Sequence, residues 1–116
     1  MKVNDYIRTD SGNIGKIENI NDFRPPECKI AVDFGWKNLI FFSEKNIKKH
    51  NKKIQNLIEV GDIVEVSDGL FEENDYYFVF SKDMIKALKE DIKDGRIKIL
   101  SILTKEQIEK NKYKVV

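Results

Sequence analysis

Ten residues near the middle of the chain, Leu57-Ile58-Glu59-Val60-Gly61-Asp62-Ile63-Val64-Glu65-Val66, constrain the fold more than any other stretch. They read as a strand, a Gly-Asp corner and a second, alternating strand. A reduced copy of the second half, Val3-Asn4-Asp5-Tyr6-Ile7, opens the chain. In both, an apolar residue precedes a small turn-former and an aspartate, and an alternating strand follows. A chain entered twice through the same corner predicts two β-rich halves.

The remaining segments fit this frame. Val3 to Thr9 reads as a strand, Asp10-Ser11-Gly12-Asn13 as its turn, and Ile14 to Ile20 as the next strand, with Gly15 marking a bulge or a close backbone approach. Asn21 to Glu27, with Arg24-Pro25-Pro26, is a surface loop, because proline cannot donate to a ladder. Cys28 to Phe34 alternates, with Cys28, Ile30, Val32 and Phe34 on one face. Gly35 to Asn38 is a hairpin connection. Leu39 to Ser43 returns as a strand whose Leu39-Ile40-Phe41-Phe42 run is apolar on both faces, which predicts burial on both sides or contact with a partner. Glu44 to Asn56 is polar and lysine-rich and reads as an irregular or single-turn helical segment. After the central corner come a Ser67-Asp68-Gly69 turn, an acidic stretch from Leu70 to Asp75, and a strand from Tyr76 to Phe80. Ser81 then caps a helix to Asp94, with Met84, Ile85, Leu88 and Ile92 at helical spacing and Gly95 at its end. Arg96 to Leu103 is a strand with Ile97, Ile99 and Ser101 on one face. Thr104-Lys105-Glu106-Gln107 is a capping box opening a short helix, and Tyr113 to Val116 reads as an edge strand. The class is α+β and mainly β. One compact domain, residues 1–116, holds two sub-lobes, 1–58 and 59–116, the second with a helix over 82–94.

A chain of 116 residues can bury enough surface to fold without a disulfide or metal. The single cysteine, Cys28, excludes an internal disulfide and a multi-cysteine zinc site. No run of 18 apolar residues exists, and Met1-Lys2-Val3-Asn4-Asp5 carries no apolar signal core, so the expectation is a cytoplasmic protein of a host cell with no membrane partner. Eighteen lysines, sixteen isoleucines and ten asparagines reflect A/T-rich codons more than selection for charge or hydrophobicity. Charge is nonetheless segregated. From Lys37 to Lys53 six lysines face one glutamate, a net of +5. From Glu59 to Ser81 there are seven acids and no base, a net of −7. Such blocks form separate charged faces that steer partners.

Two sets of residues resemble known proteins. Val3 to Thr9 with Gly15-Lys16-Ile17, followed by Lys29-Ile30-Ala31-Val32-Asp33-Phe34, resembles the opening of small SH3-like barrels, in which a corner strand, a glycine-containing second strand and an alternating third strand curl into a partial barrel. Ile47-Lys48-Lys49-His50, Asn56 to Asp62 and Ser101 to Gln107 resemble segments of uncharacterised proteins of clostridial phages and prophages. The likeness covers most of the chain and departs at Lys82 to Ile97, where the helix reads as an insertion. The resemblance implies an SH3-like partial barrel in the N-terminal half, a second β-rich half with one inserted helix and a short C-terminal helix, and a mobile-element setting. It carries no catalytic residues.

Residue chemistry points the same way. Gly12 to Lys16 fails the spacing of a phosphate loop, since two residues separate the glycines and Ile17 follows the lysine. His50, the only histidine, lies in a lysine run. Glu72-Glu73-Asn74-Asp75 lacks the spaced ligands of a calcium loop. The expectation is therefore a non-enzymatic protein with no cofactor and no metal. Two surfaces remain as candidates. The first is acidic, Glu65, Asp68, Glu72, Glu73 and Asp75 beside Tyr76 and Tyr77, and could imitate nucleic-acid charge and occupy a basic groove on a host protein, such as a nuclease or CRISPR effector. The second is basic, Lys45, Lys48, Lys49, Lys52 and Lys53 with Trp36, and would suit nucleic acid. A third reading is a nucleotide-signal sponge that holds its ligand with Trp36 or the tyrosines.

Overall fold

The computed structural model describes residues 1–68, 74–111 and 115. The chain divides into two compact units, Met1–Leu57 and Ile58–Val116. The first contains β1 (Tyr6–Thr9), β2 (Ile14–Ile20), β3 (Ile30–Asp33), β4 (Ile40–Phe42) and β5 (Ile47–Asn51), with 3-10 turns at Pro26–Cys28, Glu44–Asn46 and Ile54–Leu57. The second contains β6 (Ile63–Asp68), β7 (Asn74–Phe78), α1 (Lys82–Lys93), β8 (Ile97–Leu103) and α2 (Lys105–Asn111). Each unit has one antiparallel sheet, ordered β4-β3-β2-β1-β5 and β7-β6-β8. The described residues are thus mainly β with two α-helices. The described strands form open sheets and close no barrel.

Both units hang from an aspartate corner. In the second, the Asp62 side chain is fully buried. Its Oδ2 accepts from the Glu59 amide at 2.8 Å and its Oδ1 from the Lys105 amide at 2.9 Å. The Gly61 amide donates to the Val79 carbonyl at 2.8 Å, and the Val79 amide donates to the Asp62 carbonyl at 2.9 Å. In the first unit, Asp5 Oδ2 accepts from the Lys2 amide at 3.0 Å, the Asn4 amide donates to the Ile17 carbonyl at 2.8 Å, and the Ile17 amide donates to the Asp5 carbonyl at 2.9 Å. The residue before each aspartate has a positive φ, 75° at Asn4 and 99° at Gly61, a backbone region that glycine and asparagine tolerate best. A carboxylate accepting backbone amides strengthens a turn by about 1.5–3 kcal/mol per bond.

The equivalence runs further. The second residue after each aspartate, Ile7 and Val64, is fully buried. Each corner feeds a central strand, β1 or β6, paired on one side with the next strand and on the other with the unit's last strand. Against that last strand, both ladders shift register between the third and fourth residues after the aspartate, Arg8/Thr9 and Glu65/Val66. The units differ in what lies between. Strands β3 and β4 fill the gap in the first, and helix α1 fills it in the second.

Two cores follow. Ile7, Ile17, Ile30 and Val32 form the first, with Phe34, Phe42 and Ile47 packed against it. Ile58, Val64, Val66, Val79 and Leu88 form the second, with Ile85, Ile97, Ile99 and Ile102 against it. Ser81 Oγ accepts from the Met84 amide at 3.3 Å and starts α1 on the expected residue. The capping box of α2 is reciprocal: the Thr104 amide donates to Gln107 Oε1 at 3.1 Å and the Gln107 amide to Thr104 Oγ1 at 3.4 Å.

Several expectations need correction. Lys2 to Asp5 is the corner itself, so β1 begins at Tyr6. Cys28 lies in a 3-10 turn started by Pro26, outside the strand. The 44–56 segment contains strand β5, which pairs with β1 through Tyr6, Ile7, Arg8 and Thr9. Its lysines hid a strand whose only inward anchors are Ile47 and Asn51. Leu57 to Val60 is not a strand, because the carbonyl of Leu57 takes the Arg8 Nη1 hydrogen bond at 3.0 Å and the chain turns at once into the corner. Strand β7 sits two residues earlier than expected, since Val79 belongs to the corner's hydrogen bonds. In β8 the inward face switches from Ile97 and Ile99 to Ile102, because Leu100 is the extra residue of the bulge; Ser101 faces outward. Leu39, Ile40 and Phe41 are exposed at the sheet edge, so burial on both sides does not hold. Tyr113, Lys114 and Val116 of the proposed terminal strand lie outside the described residues.

Gly15 is a close approach. A Cβ there would sit 2.6 Å from Val32 Cγ1, 2.7 Å from the Asp33 carbonyl oxygen and 2.7 Å from Phe34 Cδ1. Gly15→Ala is therefore expected to lower stability by about 1–3 kcal/mol in denaturant titration. A change within a few tenths of a kcal/mol would show that β2 and β3 separate freely at this point.

Candidate functional site

The outer face of the three-stranded sheet is fixed by register. Ile63, Glu65 and Ser67 of β6 stand opposite Phe78, Tyr76 and Asn74 of β7 on one side, and Leu103, Ser101 and Lys98 of β8 on the other. Val64 and Val66 point the other way, into the core. The outer row is aromatic and open: Tyr76 is 68% exposed, Phe78 45% and Phe80 74%. Phe78 and Phe80 meet edge to face, 4.9 Å between centroids. Leu103 adds exposed apolar surface directly across β6. Strand β7 pairs only with β6 among the described strands, so it forms the sheet's edge. An exposed aromatic row at a strand edge marks a surface that gains by being covered.

Glu65 ties this face together. Ser101 Oγ donates to Glu65 Oε1 at 2.9 Å, and the Tyr76 hydroxyl also hydrogen-bonds the same carboxylate. That hydrogen bond, with the negative charge beside it, raises the Tyr76 phenol above its ordinary value of 10.0. The acidic set predicted from sequence is accordingly divided. Glu65 and Tyr76 share the outer face. Asp75 and Tyr77 alternate to the opposite face, where Tyr77 lines a cleft with Met84, Leu88 and Ile97. Asp68 ends β6 opposite Ile97. Glu72 and Glu73 lie outside the described residues. Phe78, Phe80 and Leu103 were missed as surface residues, because a strong apolar strand reads as core until its neighbours are known.

The basic set is divided as well. Lys48 and Lys49 lie on β5, the opposite edge of its sheet from β4, and Lys52 and Lys53 follow in the turn after it. Lys45 lines a separate cleft with Arg24, Lys29, Asp22 and Glu44. Lysines on an edge strand discourage pairing with another sheet, which gives this run a structural use. Trp36 lies in the hairpin after β3, 4.9 Å from the Phe34 ring, in a cleft lined by no lysine or arginine. His50 Nδ1 comes within 3.9 Å of the Asp5 carboxylate, which sequence adjacency hid. Among the described residues no three His, Cys, Asp or Glu side chains gather as a metal site, and no helix is long and apolar enough to cross a membrane. Comparison with known proteins gives no family model, no curated relative and no solved structure that matches the chain.

Replacing Glu65 by glutamine removes the charge that disfavours the phenolate, so the Tyr76 pKa in Glu65→Gln should fall toward 10.0, read from its ring resonances in an alkaline NMR titration. A phenol raised on folding contributes stability below its unfolded value and loses it as pH rises through the folded value; the wild type should therefore lose stability above about pH 10, and Glu65→Gln should lose less. An unchanged Tyr76 titration would break the Glu65 assignment.

Proposed function

We propose that the chain is a non-catalytic binding module of phage or prophage type that docks on a host protein through the outer face of β6, β7 and β8. The observation that carries this reading is the exposed row Tyr76, Phe78 and Phe80 with Leu103 alongside. Aromatic side chains at such exposure are the usual anchors of protein interfaces. Glu65, the carboxylate on this face, favours a partner that brings lysine or arginine to the apolar contact. A host nucleic-acid-handling protein carries lysine and arginine to neutralise phosphates, which meets the charge part of this requirement. The sharpest form of the proposal is an inhibitor of a host defence nuclease, of anti-CRISPR type, working in the host cytoplasm. Tyr76 would supply the ring, Phe78 and Phe80 the apolar contact, and Glu65 the charge.

An SH3-like lobe is supported by the five-strand meander in which β5 returns beside β1, and by the glycine in β2 that allows β3 to approach closely. The repeated aspartate corner supports a second, reduced lobe built on the same three strands. The competing reading, a nucleic-acid-binding accessory protein using Lys48, Lys49, Lys52 and Lys53, has less support, because those residues spread along an edge strand and the turn after it, while Trp36 lines a different cleft that none of them lines.

Binding of the purified protein to a panel of host nucleases, CRISPR effectors included, tests the proposal. A complex should form, and Tyr76→Ala/Phe80→Ser should weaken it at least about tenfold while Lys48→Glu/Lys49→Glu leaves it intact. Salt-sensitive binding to nucleic acid, abolished by Lys48→Glu/Lys49→Glu and indifferent to Tyr76→Ala/Phe80→Ser, would overturn it.

A further inference from the structure

A second site lies wholly within the first unit. A cleft of about 330 Å³ is walled by Phe34, Trp36, Phe42 and Ile40 and rimmed by Thr9, Asp10, Ser11, Asn13 and Asn46. The three rings form a continuous row. Trp36 and Phe34 are 4.9 Å apart between centroids and Phe34 and Phe42 5.9 Å. Phe34 and Phe42 are half-buried against the core. The rim is also held in place. Asn13's amide donates to Thr9 Oγ1 at 3.0 Å, Thr9 Oγ1 and Ser11 Oγ share a hydrogen bond of 3.0 Å, and the Asp10 amide donates to the Asn46 carbonyl at 3.1 Å. The backbone of this turn thus presents Asp10 at a fixed point on the rim. The Asp10 carboxylate is exposed and forms no hydrogen bond or ion pair among the described residues.

Charge decides what such a cleft can take. Its one ionised lining group is a carboxylate, and no lysine or arginine lines it among the described residues. A phosphate-bearing ligand would meet Asp10 with nothing to neutralise it, which disfavours the nucleotide expected at Trp36 from sequence. Aromatic faces carry negative potential and attract a cation whose charge is spread over carbon-bearing groups, and a carboxylate at the mouth adds to that attraction. The volume is at the small end of ligand cavities and suits a headgroup more than a whole drug-sized molecule. We propose that the cleft between Trp36 and Asp10 binds an alkylated ammonium group, the aromatic row taking its methyl groups and Asp10 its charge. The site shares no residue with the face made by Tyr76 and Phe80, and it stands or falls independently of the proposed host partner.

Trp36 is the only tryptophan, so its fluorescence reports on the cleft without a label. Titration with choline should shift or quench it saturably. The neutral isostere 3,3-dimethylbutanol should bind at least about tenfold more weakly, because the cation–π and carboxylate attractions are absent. Asp10→Asn should weaken choline several-fold, and Asp10→Glu should restore most of the loss. As an exposed turn residue, Asp10 can be changed without unfolding the unit. A peptide bearing trimethyllysine distinguishes the sources of the group: binding at least tenfold tighter than choline assigns a modified protein as the ligand, and equal binding assigns a free headgroup. Either result supports the site. Equal binding of choline and the isostere, an unaltered response in Asp10→Asn, tighter binding of adenosine monophosphate than of choline, or no response to any of these compounds would overturn it.

Discussion

A buried aspartate that accepts backbone amides is the constraint on which each half of this protein depends. Asp62 has no access to solvent, and a carboxylate is held there only if its oxygens are satisfied. Its two oxygens are used for different tasks. One closes the Glu59 corner and the other holds the first amide of α2. That single side chain therefore sets where β6 begins and where the chain ends its last strand. Lys105 Nζ adds an ion pair to Glu59 Oε1 at 2.9 Å across the same junction. Asp5 makes the simpler version, closing its corner without a helix to hold.

The repetition explains why two small cores can coexist in 116 residues. Each unit needs only a corner, a central strand and two partners to bury its Ile7 or Val64. The first adds β3 and β4 and buries Ile30 and Val32 against Ile7 and Ile17. The second lays α1 on the sheet and buries Leu88. In the first unit, the 3-10 turn at Ile54–Leu57 covers the other face of β1, and the fully buried Arg8 reaches the Leu57 carbonyl there. In the second, the equivalent position is Glu65, which remains on the outer face and binds Ser101 and Tyr76. The same place in the corner strand thus serves burial in one unit and an open aromatic surface in the other.

Much of this was legible in the residues, and what was not has physical causes. The paired corners, the Ser81 cap, the Thr104 capping box and the helix periodicity of Met84, Ile85, Leu88 and Ile92 depend on local chemistry, and local chemistry is written in sequence order. Strand β5 was not legible because Lys48, Lys49 and His50 carry no apolar alternation; only the register with β1 makes that segment a strand. The Leu100 bulge reversed the outward face of β8 in a way no period-two reading can show. The candidate surfaces suffered most. Candidate residues adjacent in sequence, such as Asp75 and Tyr76, fall on opposite faces of one strand. Rings far apart in sequence, such as Trp36 and Phe42, come together around Phe34 with Asp10 at their rim.

Amide hydrogen exchange in Asp62→Asn tests the dependence on the corner most directly. Asparagine keeps the shape but carries no charge and offers one acceptor where aspartate offers two. Protection should fall at the Glu59, Gly61, Val79 and Lys105 amides and through β6 and α2, while Asn4, Ile17 and the rest of the first unit keep theirs. Undiminished protection at the Glu59 and Lys105 amides would contradict it.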